Sequence, residues 1–202
     1  MNLAHRWLCR SAYWRDTVET YIFPWVLDGL DLLGTNLLEV GPGPGVTTDL
    51  LRHRVEHLTC VEIDCVFAAP LSRRMKGHNV TVVRQDATAM SFPDATFDGA
   101  VSFTMLHHVP SEALQNRLLS EVARVLRPGG IFAGTDSVYS RSFRLLHFLD
   151  TMVVVDPSTF PERLKAAGFC DVQVDVLKPY AFRFRARKAA ITVPAKPGLL
   201  AG

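Results

Sequence analysis

Three glycines at alternate positions, in Leu37-Leu-Glu-Val-Gly-Pro-Gly-Pro-Gly45, follow directly on an apolar run that carries a single acid, Glu39. The run reads as a buried strand that ends in a turn. Glycine lets such a turn pass close to a neighbour, because it has no Cβ and tolerates positive φ. Val46-Thr-Thr-Asp-Leu-Leu51 then reads as a helix opening, which directs backbone N–H groups toward whatever the turn approaches. The spacing excludes two other ligand loops. A dinucleotide fingerprint beginning at Gly41 requires glycine at position 46, where Val46 stands, and no lysine follows the glycines as a phosphate loop demands.

The rest of the chain repeats this strand–turn–helix unit. Strand patterns at 37–40, 57–63, 80–84, 97–103 and 131–135 alternate with helical patterns at 46–54, through Arg74, and at 111–126. Ser111 is placed to cap the last of these, and Pro70 is expected to kink or interrupt the second. Near-continuous apolar strands separated by helices indicate a parallel sheet covered on both faces. The ending breaks the rhythm. A helix over 161–167 closes at Gly168, and two β-rich runs, 170–177 and 180–187, are separated only by Lys178-Pro179. So short a link joins antiparallel strands, not parallel ones.

In an open parallel sheet, ligands bind beyond the carboxyl ends of the strands. Glu62 lies at such a tip, 21 residues after Gly41, about the interval at which an acid reaches a ribose diol. Asp64 beside it is placed to cap the next helix. After the third strand comes Arg84-Gln-Asp86-Ala-Thr-Ala-Met-Ser-Phe-Pro-Asp94, and Phe97-Asp98 enters the fourth. That strand runs out in Val101-Ser-Phe103-Thr-Met-Leu-His107-His108-Val109, and Val125-Leu-Arg-Pro-Gly-Gly130 precedes the fifth.

Taken in order, these segments over residues 35–136 resemble the class I S-adenosylmethionine-dependent methyltransferases, closest to the small-molecule group that includes quinone-precursor methylation. The resemblance implies an α/β fold: a doubly wound, seven-stranded, mainly parallel sheet in the order 3-2-1-4-5-7-6, its last strand antiparallel, in a three-layer αβα sandwich. It implies S-adenosyl-L-methionine as cofactor. It places Glu39 near the ligand's methionine end and Gly41, Gly43 and Gly45 against the nucleoside. Glu62 and Ile63 fall at the ribose, Asp86 and the backbone of Ala87 at the adenine, and Phe103 at the crevice wall. A methyl acceptor that must lose a proton needs a base, for which His107 and His108 at the crevice mouth are the candidates, with Asp136 after the fifth strand.

Composition narrows the partners. A net charge of +2 over 202 residues gives no electrostatic case for nucleic acid. The alternation Phe182-Arg-Phe-Arg-Ala-Arg-Lys188 is what a half-buried strand shows, with basic residues of the kind that guard a sheet edge. The apolar runs fall short of the ~20 residues of a membrane span. The beginning lacks the pattern of a secretory leader, and Cys9, Cys60, Cys65 and Cys170 lack paired spacing, so a cytoplasmic protein with reduced thiols is expected. No set of His or Cys has ligand spacing, and no metal is expected.

Three segments are expected: an aromatic-rich helical stretch over 1–34, broken at Pro24, a cofactor-binding domain over 35–190, and a frayed tail over 191–202. The aromatics Trp7, Tyr13, Trp14, Tyr21, Phe23 and Trp25 are expected to pack on the main domain. The stretch 137–160 is expected to build the acceptor side, with aromatics that favour a moderately apolar small molecule. Within it His147 and Asp150, three apart, read as a solvated surface pair. The leading functional reading is methyl transfer to a small acceptor. The alternatives are a non-catalytic sensor or partner subunit that binds the cofactor or its demethylated product, and a nicotinamide dehydrogenase, which the terminal hairpin opposes.

Overall fold

The short β-branched and apolar runs separated by capped helices become seven strands and eight α-helices. The computed structural model describes residues 2–32 and 35–190. The strands are β1 (Asn36–Val40), β2 (His57–Glu62), β3 (Val80–Arg84), β4 (Phe97–Phe103), β5 (Leu126–Ser137), β6 (Phe169–Leu177) and β7 (Ala181–Lys188). They form one sheet in the order β3-β2-β1-β4-β5-β7-β6. Strands β1 to β5 are mutually parallel, and β7 runs antiparallel to both β5 and β6.

Strand β1 is central. Leu38 lies level with Thr59 of β2 on one side and Ala100 of β4 on the other, and four of the five β1 residues are buried. The chain winds outward from β1 through β2 to β3, then restarts at β4, so strand order reverses between β1 and β4. A crevice opens at such a reversal. Strand β5 begins at Leu126, five residues earlier than its apolar run, because Leu126 already pairs with Phe97 across an irregularity before Gly99 meets Ile131.

The helices are α1 (Leu3–Arg10), α2 (Ala12–Thr17), α3 (Phe23–Leu27), α4 (Val46–Leu51), α5 (Cys65–Arg74), α6 (Glu112–Val125), α7 (Arg141–Leu146) and α8 (Phe160–Ala166). Ser111 caps α6 by accepting from the Leu114 N–H at 3.2 Å. Helix α5 runs through Pro70 without interruption, its N-terminus capped by Asp64, which accepts from the Val66 N–H at 2.8 Å. The first segment breaks at Ser11, which ends α1 and caps α2, and not at Pro24. Pro24 enters α3 in its first turn, after a π-helical turn over Val18–Ile22 in which Phe23 N–H reaches back to Val18 C=O. A wide turn suits a proline that has no N–H to give.

Two cores flank the sheet. One holds the rings of Phe97, Phe132, Phe160, Phe182 and Phe184 among the side chains of α6 and α8. The other joins Val18, Phe23, Val26 and Leu27 of the first segment to Leu37, Leu51, Leu58 and Phe103. Residues 2–32 therefore share a core with the sheet. Their aromatics divide: Phe23 is buried and Trp14 and Trp25 pack against it, whereas Trp7, Tyr13 and Tyr21 are each more than 70% exposed.

The basic residues of β7 have structural partners. Strand β7 lies inside the sheet and guards no edge. Arg183 donates to Trp25 C=O at 2.6 Å and to Asp175 at 2.9 Å, Arg185 to Asp28 C=O, Arg187 to Gly129 C=O and Lys188 to Leu126 C=O. They bind the first segment and the β5 entry to the sheet. No helix among the described residues is long and apolar enough to cross a membrane. The tail expected over 191–202 lies outside the described residues.

Candidate functional site

The glycine turn sits where the strand order reverses. Gly41 donates its N–H to Val61 C=O at 2.9 Å, so the chain leaves β1 while still tied to β2. Its φ is +70°, and a Cβ there would lie 2.2 Å from Cγ of Met105. Gly45, at φ +85°, is the N-cap of α4. Nothing lies within 4 Å of the place a Gly43 side chain would occupy, and that face opens on the crevice.

Glu39 lies under the glycine turn, one contact from the crevice through Thr47. It is 1% exposed and does not line the crevice. Its carboxylate accepts from Thr47 Oγ1, from Thr48 Oγ1 at 2.6 Å and from Cys60 Sγ at 3.4 Å. The acid fastens the start of α4 to β1 and β2 from behind and shapes the turn. Burial pushes its carboxyl up, and the hydroxyl donors oppose that.

Glu62 is on the crevice. Oε2 accepts from Gly43 N–H at 3.0 Å and Oε1 from Asp64 N–H at 2.9 Å. Each oxygen keeps a further lone pair, enough for the two hydroxyls of a ribose. Burial raises its carboxyl's pKa against those two N–H donors. Ile63, 62% exposed, stands at the mouth as an apolar cover. Asp86 spends Oδ1 on Thr88 N–H at 2.8 Å, which fixes the turn after β3, and it lines the crevice beside Ala87. Phe103 is buried and stacks on Phe23 at 5.9 Å between ring centroids. The structure thus brings Gly41, Gly43, Glu62, Ile63, Asp86, Ala87 and Phe103 to one cavity of about 520 Å³, within the range of small-ligand sites.

These positions fit S-adenosylmethionine: a glycine with open space before it, a carboxylate with paired lone pairs at ribose distance in sequence, and an apolar cover beside a polar turn. Sequence reasoning gave no individual role to Met105, Thr47 and Gln85 on the same wall or to His5 and Cys9 from α1, and it expected Trp14 of α2 to pack on the main domain. The N-terminal helices close one side of the cavity. Binding of S-adenosylmethionine is therefore expected to slow amide exchange in α1 and α2. Unchanged exchange there, with slowing confined to residues 41–47, would show that these helices do not cover the ligand.

The end of the crevice beyond β4 and β5 gathers histidines. His107 lies in a 3-10 turn, Leu106–His108, directly after β4, and Asp136 in β5 accepts from both its backbone N–H at 3.0 Å and its Nδ1 at 2.5 Å. Asp136 is fully buried. An Nδ1–H given to the carboxylate leaves Nε2 as the lone-pair nitrogen, and that atom is buried without a hydrogen-bond partner. His108 has another environment: burial, then the neighbouring His107 and His5, drive its pKa down to about 2. His5 is pushed down to about 4 by burial and then by His147.

His147 is not a solvated surface residue. It is 3% exposed, just past α7, and its Nδ1 lies 2.9 Å from Phe143 C=O. Asp150, its expected partner, instead accepts from Asn2 N–H at 3.2 Å and lies 3.5 Å from His5 Nδ1. Asn2 also donates to Leu146 C=O and Phe148 C=O, at 2.8 and 3.0 Å. The end of α7 and the start of α1 are stitched together over the crevice.

Known proteins share both sequence and fold with this chain. Residues 38–134 match the family model described as a methyltransferase domain. An uncharacterized methyltransferase of Mycobacterium bovis is 30% identical over 109 residues, 54% of each chain. The 2-methyl-6-phytyl-1,4-hydroquinone methyltransferase 2 of Oryza sativa subsp. japonica is 31% identical over 165 residues, 78% of this chain and 46% of its own. The chain spans about half the length of these curated relatives. In fold it is similar to an S-adenosylmethionine-dependent methyltransferase from Mesorhizobium loti, with a TM-score of 0.65 at 18% identity over 78% of this chain and 93% of that one. Residues 38–134 are thus similar to a methyltransferase domain, and the chain has the fold of solved S-adenosylmethionine-dependent methyltransferases, whose cofactor is S-adenosyl-L-methionine.

Proposed function

We propose that this chain transfers the methyl group of S-adenosylmethionine to a small, moderately apolar acceptor by in-line displacement. The observation that carries the reading is the continuity of one cavity. It runs from the Gly43–Glu62–Asp86 side to a second wall of Val109, Leu114, Leu118, Phe143 and Leu146 beside His107. A cofactor subsite and an apolar acceptor wall in one space meet the main requirement of group transfer, which is to hold two reactants in attack geometry away from water.

Glu62 would take the ribose hydroxyls, Asp86 and Ala87 the adenine edge, and the turn from Gly41 to Gly45 the remainder of the donor. Glu39 acts through that turn. When bound, the donor supplies a methyl carbon already activated by a positively charged sulfur leaving group. His107, oriented by Asp136, is placed to receive a proton from an acceptor hydroxyl. His108, its ring kept neutral and packed among other imidazoles, is the weaker of the two candidates. The relative from Oryza sativa carries a hydroquinone in its name, and a phenolic acceptor suits both the apolar wall and a proton-accepting nitrogen.

The test is transfer of labelled methyl from S-adenosylmethionine to a panel of hydroquinones, phenols and fatty acids, with product identification. Turnover on an apolar phenol, lost on adding demethylated cofactor, is the expected result. Tight donor binding with no transfer to any of the panel or to cell extract would sink the catalytic reading in favour of a sensor or partner subunit.

A further inference from the structure

We propose that His5, His108 and His147 form a binding site for one divalent transition-metal ion at the acceptor end of the crevice. One ring nitrogen from each of the three lies within 4.8 Å of the others. Zinc–imidazole bonds of about 2.0–2.1 Å in a tetrahedron place the ligand nitrogens roughly 3.3 Å apart. Reaching that spacing requires the three nitrogens to draw closer by up to about 1.5 Å.

One of these rings has the outer hydrogen bond that ligating histidines show, and a second lies beside a carboxylate. A metal-binding imidazole commonly gives its second ring N–H to a backbone carbonyl or a carboxylate, which fixes the free nitrogen as the lone pair. His147 does this with Phe143 C=O, and its Nε2 is left buried with no hydrogen-bond partner. His5 has the Asp150 carboxylate 3.5 Å from Nδ1. The rings crowd one another, with centroids 4.4 Å apart for His5 and His147, 5.0 Å for His5 and His108, and 5.3 Å for His108 and His147. Crowded, buried, neutral imidazoles aimed at one point repel through their lone pairs unless a cation accepts them. Burial lowers all three pKa values, which keeps the rings in their ligating form.

The donor set indicates the ion. Imidazole nitrogens suit zinc, cobalt, nickel, copper and iron, whereas magnesium and calcium require oxygen ligands. His5, His108 and Asp150 line the cavity, which supplies an entry path and room for a further ligand. His107 stands beside the group with its Nδ1 held by Asp136 and is not one of the three. The ligands come from α1, from the turn after β4 and from the end of α7. A bound ion would therefore cross-link the N-terminal helix to both walls of the acceptor side. The expectation of no metal rested on ligand spacing along the chain, and these residues are too scattered to show any.

The test uses the full chain, stripped with a chelator and then titrated with zinc or cobalt chloride. Expected are one ion per chain by dialysis and elemental analysis, visible bands of four- or five-coordinate cobalt, and a rise in Tm on loading. His147→Ala is expected to weaken binding at least tenfold, and the triple variant H5A/H108A/H147A to abolish the cobalt bands. Exposed His78→Ala should leave them unchanged. Far-UV circular dichroism and a cooperative thermal transition serve as the check on folding, and single Gln variants replace the triple variant if it fails that check. Binding that persists in the triple or single variants, or a wild-type chain that takes up no ion, overturns the proposal. A chain that binds the ion yet transfers no methyl would sink the activity reading and leave this one standing.

Discussion

Replacing Glu62 by Ala is expected to weaken S-adenosylmethionine binding by roughly 30- to 140-fold, or about 2–3 kcal/mol for lost charge-assisted hydrogen bonds. The size follows from what the carboxylate does before any ligand arrives. It holds the N–H groups of Gly43 and Asp64, so the variant removes both a ribose acceptor and the clamp between the glycine turn and the end of β2. Glu62→Gln retains one oxygen and turns an amide NH2 toward one of the two N–H groups, and it should fall between wild type and Ala. Calorimetry on folded protein measures both. Equal affinity in all three proteins would remove Glu62 from the cofactor site.

Asp136→Ala is expected to be the most destabilising single change near the crevice. Asp136 accepts from His107 N–H and His107 Nδ1, both buried, and from the part-buried Ser137 N–H. Its removal leaves two buried donors and a part-buried one without this acceptor, at a cost of about 3–5 kcal/mol and a fall in Tm on the order of 10 °C for a chain of this size. His107→Ala leaves the backbone bonds to Asp136 in place and should cost less stability. If His107 receives the acceptor's proton, that variant loses about 10²–10⁴-fold in kcat while donor affinity is kept. Thermal unfolding and steady-state kinetics on the two variants separate the structural role from the chemical one. A kcat unchanged in His107→Ala would exclude it as the base.

The half of the molecule proposed to bind the donor was legible in the sequence because its residues are local to strand tips. Apolar runs give the strands, glycines at alternate positions give the turn, and a fixed interval separates the turn from Glu62. The terminal hairpin was legible for a similar reason, since Lys178-Pro179 is too short for any parallel crossover. Glu39 shows where this kind of reasoning stops. Its position in the motif is plain, yet only the fold places Thr47, Thr48 and Cys60 around it and buries it under the turn. The basic stripe of β7 was ambiguous because its partners, Trp25, Asp28, Gly129 and Leu126, lie on distant segments or loops. The proposed acceptor side was the least legible. Its histidines sit at positions 5, 107, 108 and 147, and no periodicity connects a first helix to a turn after β4 and the end of α7.

Glu62's grip on Gly43 and Asp64, with Glu39 bracing the turn from the opposite side, also bears on how a ligand enters. Under the proposed function this donor cradle meets its ordering entropy during folding, so a nucleoside arriving there finds a preformed surface. The opposite wall is assembled from segments far apart in the chain, through the bonds of Asn2 to Asp150 and the end of α7 and through the ring contacts of His5, His108 and His147. Substitutions in α1 and α7 therefore bear on this second wall and leave the first intact.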